Sequence, residues 1–245
     1  MRVSNNYNSI ICFGDSLTQQ GSRSGGFVTG LQEAYIRRLD VINRGYGGYT
    51  SRQGLALCPI LFEKDSNPIS QARLATVWLG TNDAIEPGFS QHVPLEEYKS
   101  NMTSILREHF NSLPVLLITP TTVVNGLFEG HTDDSNHERY GQALQEIAKE
   151  LNPSRKEAER IIVIDMRKAF LQAAHVQEGG LKALFDSDGL HLAIPGYKVV
   201  FDAIMATIET YFPHLSPDKL KYVIPDWKEL NLDLDQEGQK KQLLP

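Results

Sequence analysis

Short apolar, largely β-branched runs alternate along this chain with longer stretches of helical periodicity, and that alternation restricts the fold more than any other feature. Five such runs occupy residues 9–13, 40–43, 74–79, 115–119 and 160–165. Each is brief and bounded by polar or glycine-rich turns, the pattern of a strand buried on both faces. Between them, 27–38 sets Phe27, Leu31, Ala34 and Tyr35 at helical spacing, and 95–110 gathers Tyr98, Met102, Ile105 and Leu106 on one side. The stretch 140–151 repeats the pattern with Leu144, Ile147, Ala148 and Leu151. A last helix is predicted over 196–212, with Pro195 suited to its first turn and Pro213 ending it. Strands alternating with helices predict βαβ units, right-handed crossovers and a mainly parallel sheet covered on both faces. The 245 residues suffice for one well-buried domain, and nothing in the middle reads as a linker. Beyond Pro213 the periodicity fades and Pro217 and Pro225 break any long element. The expected division is therefore a domain over 1–212 and an extension over 213–245 that packs on the domain or on a second subunit, its last residues frayed.

Composition excludes several classes of partner. The formal net charge of −6 gives no general attraction for nucleic acid or anionic lipid. Arg37 and Arg38 sit beside acids and read as a solvated helix face. No apolar run is long enough to span a bilayer, and the polar stretch 1–9 lacks the apolar region of a secretory signal. The two cysteines, Cys12 and Cys58, differ too much in context to suggest a disulfide framework, and Cys12 should be a small buried side chain. These features lead to the expectation of a cytoplasmic protein without nucleic-acid or membrane partners. The aromatic and apolar residues Tyr222, Val223, Ile224 and Trp227 leave a homodimer open.

In a doubly covered parallel sheet, ligands bind beyond the carboxyl ends of the strands. After the first strand comes Gly14-Asp15-Ser16-Leu17-Thr18, where Ser16 reads equally as an exposed nucleophile or as the cap of a helix. After the second comes Arg44-Gly45-Tyr46-Gly47-Gly48-Tyr49-Thr50-Ser51, in which Gly48 offers a backbone N–H or merely belongs to a loop, with Thr50 or Ser51 capping the next helix. After the third, Gly80-Thr81-Asn82-Asp83 offers the Asn82 amide or an ordinary turn. Far downstream, Asp188 precedes His191 by three positions, so both fit on one short turn. A serine nucleophile needs a base for its proton, and a histidine base needs a partner on its second nitrogen. Separately these signals are modest. Together they supply nucleophile, base, orienting carboxylate and oxyanion donors, each where the sheet would place a site.

The blocks Gly14-Asp15-Ser16-Leu17, Gly48, Gly80-Thr81-Asn82-Asp83 and Asp188-Gly189-Leu190-His191 resemble, in order, those of the SGNH, or GDSL, hydrolase family. The stretches 44–52, 78–84 and 211–227 further resemble the isoamyl acetate-hydrolysing esterase group within it. The resemblance implies a flavodoxin-like three-layer α/β/α fold with a five-stranded parallel sheet. It implies Ser16 as nucleophile, His191 as general base and then acid, and Asp188 as its orienting partner. The N–H groups of Ser16 and Gly48 and the side chain of Asn82 would form the oxyanion hole, with no cofactor and no metal. The implied substrate is a small acetate-type ester. A carbohydrate acetylesterase, a lysophospholipase or a catalytically silent binding module are the competing readings, and an α/β-hydrolase is the competing fold. That fold would want a G-x-S-x-G elbow, which Ser16 lacks. Asp15 and Asp83 are expected to tie their turns rather than act as bases. His131 and His137, near Asp133 and Asp134, fit no common metal-ligand spacing, so 126–138 is expected to be a solvated loop that follows the fourth strand and overhangs the pocket.

Overall fold

The computed structural model describes residues 7–62, 69–124, 127–130 and 134–243. Five strands, β1 (Ser9–Gly14), β2 (Asp40–Gly45), β3 (Ala72–Trp78), β4 (Val115–Ile118) and β5 (Ile161–Ile164), form one sheet in the order β2-β1-β3-β4-β5. All four pairings are parallel. The register sets Gly14 opposite both Gly45 and Trp78, so the first three strands end at the same level. The fold is a three-layer α/β/α arrangement with helices on both sides of the sheet.

Side chains alternate across the sheet with a period of two, and the core divides accordingly. Ile10 and Cys12 face a layer built with α2 (Phe27–Ala34), α6 (Met166–Ala174) and α7 (Ile194–Tyr211), alongside Leu116, Ile118, Ile162 and Ile164. Ile11 and Phe13 face the opposite layer, built with α3 (Ser51–Leu61), α4 (Leu95–Ser104) and α5 (Asp134–Leu151). Each fully buried aliphatic or aromatic side chain contributes about 1.5–3 kcal/mol relative to exposure. Both cysteines are buried and free, one in each layer.

Several elements differ from the sequence reading. The pattern over 95–110 is α4 followed by a wider π-helical turn, Ile105–His109, which keeps Ile105 and Leu106 buried. Helix α5 starts six residues before the expected Tyr140, with Asp134 accepting the Val123 N–H at 3.2 Å and pairing with Arg167 at 2.7 Å. His137 is therefore buried in the first turns of that helix and not in a solvated loop; its Nδ1–H donates to the Thr121 carbonyl at 3.0 Å. Burial pushes its pKa down to about 4, which keeps the imidazole neutral. His131 and Asp133 lie outside the described residues. Arg37 and Arg38 are not on a helix face either. Helix α2 stops at Ala34, Arg37 takes a left-handed φ of 62°, and both guanidinium groups lie over the Tyr222 ring. Arg37 also donates to the carbonyls of Ile224 and Pro225, and Arg38 to that of Leu220. The chain ends in a short exposed helix, α8 (Gln236–Leu243). Among the described residues no helix is long and apolar enough to cross a membrane.

The first helix, α1 (Ser16–Gln20), is tied to β2 by Asn43, whose amide donates to the Thr18 carbonyl at 2.9 Å. Gly45 lets that helix lie flat on the strand: a Cβ there would stand 2.0 Å from the Gln19 backbone nitrogen. Gly45→Ala is expected to destabilise the fold by about 1–3 kcal/mol through this overlap. Urea unfolding measures the effect; an unchanged midpoint would show that α1 moves away from β2 without strain.

Candidate active site

At the carboxyl end of β1 the chain turns directly into α1. The cap of that helix is Asp15, not Ser16: its Oδ1 accepts the Leu17 N–H at 2.9 Å. Ser16 is left at the first helical position, where a backbone N–H has no intrahelical acceptor. Helix α1 is held from behind by α7, since the Tyr197 hydroxyl donates to the Leu17 carbonyl at 2.9 Å.

The segment after β5 and α6 brings a histidine to this serine. A backbone-closed loop runs from Asp186 to His191, with Asp186 N–H donating to the His191 carbonyl at 2.8 Å and Gly189 N–H closing a β-turn on the Asp186 carbonyl at 2.9 Å. Asp188 Oδ1 accepts the N–H groups of Leu190 and His191, each at 2.9 Å, and Oδ2 receives His191 Nδ1–H at 2.7 Å. His191 Nε2 lies 3.0 Å from Ser16 Oγ. A carboxylate only accepts, so Nδ1 carries the proton and Nε2 remains the acceptor for the serine O–H. Partial burial opposes ionisation of Asp188. The His191 bond and the two backbone donors outweigh it and hold the carboxyl below the ordinary carboxylate range.

The loop after β2 lies beside Ser16. Tyr46 N–H donates to the Gly14 carbonyl at 2.9 Å, and a Cβ on Gly47 would stand 3.9 Å from that of Ser16. Tyr49 N–H closes a turn on the Tyr46 carbonyl at 3.2 Å, with Gly48 at φ 77°, the third position of a type II turn. That bond leaves the Gly48 N–H uncommitted within the turn. Asn82, after β3, donates one amide hydrogen to the Tyr49 carbonyl at 2.8 Å and has a second to give. Gln91 joins the two pieces: its Nε2 donates to the Gly48 carbonyl at 2.6 Å and lies 3.3 Å from Asn82 Oδ1. Nothing in the sequence singled out Gln91, because no motif or period marks a lone glutamine in an irregular loop. Thr50 caps α3 in a box with Gln53, as its place after the glycines suggested.

Two further carboxylates hold the floor of the site. Asp83 accepts the Ser51 N–H with both oxygens, at 2.9 and 3.1 Å. Burial raises its pKa to about 6, against the pull of those bonds. Asp15 is fully buried; that burial, with the nearby Asp83 charge adding to it, pushes its carboxyl up to about 7 although Leu17 N–H pulls the other way. Both tie turns and neither touches His191 or Ser16 Oγ by a side-chain hydrogen bond, in line with the sequence reading. Among the described residues no three His, Cys, Asp or Glu side chains are grouped to hold a metal ion.

The arrangement thus presents a serine hydroxyl whose proton an imidazole can take, with amide donors close by. The sequence profile of the GDSL-like Lipase/Acylhydrolase family matches residues 12–199. The chain belongs to this family. It is a carboxylic ester hydrolase, and its similarity to curated members runs over nearly its whole length. The isoamyl acetate-hydrolyzing esterase of Saccharomyces cerevisiae is 29% identical, over 91% of this chain and 95% of that protein. A GDSL esterase/lipase of Arabidopsis thaliana is 31% identical, over 88% of this chain and 90% of that protein. Among solved structures, a lipase/acylhydrolase from Enterococcus faecalis superimposes with a TM-score of 0.65 at 23% identity, covering 88% of this chain and 98% of that one. The GDSL fold is thereby shared, with all five strands in parallel.

The buried Asp15 makes stability depend on pH. An unfolded aspartate releases its proton near ~3.9, whereas folded Asp15 does so at about 7. Between those values the folded state keeps a proton that the unfolded state loses. This contribution is full below the unfolded value and is lost as pH rises through 7. Asp15→Asn retains the acceptor for Leu17 and cannot ionise. Its stability relative to the native chain, from urea unfolding, should therefore rise between pH 5 and pH 8; a constant difference would mean that no buried charge forms.

Proposed function

We propose that Ser16 is the nucleophile of a two-step acyl transfer to water, with His191 and Asp188 completing a triad. The observation that carries this is the unbroken chain of hydrogen bonds from Asp188 through His191 to Ser16, at 2.7 and 3.0 Å. Ser16 Oγ attacks the ester carbonyl carbon while His191 Nε2 takes its proton. The negative charge that grows on the carbonyl oxygen is met by the N–H groups of Ser16 and Gly48 and by the free amide hydrogen of Asn82. His191 then gives its proton to the departing alcohol, leaving an acyl ester on Ser16. Water, deprotonated by the same imidazole, attacks that ester and releases the acid. Asp188 fixes the tautomer throughout and stabilises the imidazolium.

The substrate proposed is a small acetate-type ester. Support comes from the relatives named isoamyl acetate-hydrolyzing esterase in Saccharomyces cerevisiae and Schizosaccharomyces pombe, 29% and 30% identical over 91% of this chain. The hydrolase unit is proposed to be 1–212, with 213–245 an extension clasped by Arg37 and Arg38.

Ser16→Ala should abolish both p-nitrophenyl acetate turnover and covalent labelling by a fluorophosphonate; labelling that persists would identify another nucleophile. Asn82→Ala removes one oxyanion donor and should lower kcat by about 10²–10³-fold while the urea midpoint stays near native. Undiminished turnover in that variant would take Asn82 out of the site.

A further inference from the structure

The triad reading fixes where the alcohol half of the ester must lie. His191 Nε2 hands its proton to the alkoxy oxygen, so that oxygen comes within a hydrogen bond of Nε2 and the first alcohol carbons lie beside the imidazole. The Nδ1 side of the ring is taken by Asp188. An apolar neighbour of the ring is Phe128, which meets it edge to face with centroids 6.1 Å apart and planes at 72°.

Phe128 is held there by the chain that leaves β4. Thr121, Thr122 and Val123 are buried, and Val124 N–H then donates to the Gly189 carbonyl at 2.9 Å, inside the turn that carries His191. Leu127 packs on the same turn so closely that a Cβ on Gly189 would stand 2.8 Å from that of Leu127 and 3.0 Å from that of Val124. Gly130 reaches the other wall: its carbonyl accepts the Glu86 N–H at 2.9 Å, and it packs on Ile85 and Phe89, just past Asn82. Residues 127–130 are thus anchored at one end to the histidine turn and at the other to the segment that follows the amide donor. Leu127, packed against Gly189 in the turn that carries His191, remains 50% exposed.

Resting on the triad reading, we infer that Phe128, with Leu127, is the wall that receives the alkyl part of the leaving alcohol. Phe128 is then a specificity-determining residue that selects esters of apolar alcohols of several carbons over those of short or polyhydroxy alcohols. An aromatic face gains with each methylene laid on it and offers a sugar hydroxyl no hydrogen bond.

The test is kcat/KM for two series with native chain, Phe128→Ala and Phe128→Leu. One series varies the alcohol of an acetate (ethyl, butyl, isoamyl); the other varies the acyl chain of an ethyl ester (acetate, butyrate, hexanoate). Simple primary alcohols differ little as leaving groups, so the first series reads contact and not chemistry. In Phe128→Ala the isoamyl-to-ethyl ratio should fall roughly tenfold, the Leu variant should fall less, and the acyl-series ratios should stay native. Ratios that are unchanged in the alcohol series, or a shift in the acyl series instead, would overturn the assignment. Fluorophosphonate labelling separates the failures. A native chain that is not labelled at Ser16 defeats the triad reading, whereas labelled variants with native alcohol ratios defeat only the role of Phe128.

Discussion

Ile10, Ile11, Cys12 and Phe13 are all removed from water, alternate ones against opposite helical layers. A strand buried on both faces needs helices on both sides, and parallel neighbours need a crossover between each pair. Those crossovers return every chain to the same edge before it enters the sheet again. The loops after β1, β2, β3 and β4 therefore emerge together at one end. Ser16, at the start of α1, and Gly48, Asn82 and Phe128, in the loops after β2, β3 and β4, stand at that end, and the turn carrying His191 is brought to them by α7, whose Tyr197 holds the back of α1. The polar chemistry of the site is in this sense a consequence of how the apolar strands are covered.

Three aspartates near the site show how environment divides one residue type among different tasks. Asp188 is partly exposed and accepts three hydrogen bonds, two from backbone and one from His191, so its charge is favoured. Asp15 and Asp83 are buried, influence one another through their charges, and are driven toward the neutral form. Their bonds go to the backbone N–H groups of Leu17 and Ser51, which start the helices that follow β1 and β2. A carboxylate that caps a helix sets the direction of the chain. One that holds an imidazole sets a proton on a chosen nitrogen.

Much of this was legible in the order of residues, for reasons that also explain what was not. The five strands were visible because burial on both faces leaves an unbroken apolar run. Helices with a broad apolar stripe, such as α7 with Tyr197, Val200, Ile204 and Ile208, were visible as well. Helix α6 was not, since it buries only Met166 and Phe170, and α3 showed only through its cap at Thr50, since Ser51, Gly54 and Cys58 are small residues that make no stripe. His137 looked like part of a polar loop because the residues around it are polar; the Thr121 carbonyl, brought by β4, gives its ring a buried partner from far outside that stretch. Arg37 and Arg38 looked solvated because the segment they clasp lies some 185 positions away in sequence, 182 for Arg38 to Leu220 and 188 for Arg37 to Pro225.

By itself the sequence pointed to the layered parallel fold and put Ser16, Gly48 and Asn82 just after apolar runs, because strand periodicity and strand-end position are local properties of the chain. It also placed Asp188 on His191, three residues being one turn. Only the tertiary structure decided that Asp15 and not Ser16 caps α1, that His191 reaches Ser16 across 175 positions, and that Gln91 and Phe128 stand beside the amide donors and the imidazole. Periodicity reports how a residue faces its own element. The distance between loops is set by sheet register and helix packing, and no pattern within a single segment carries that information.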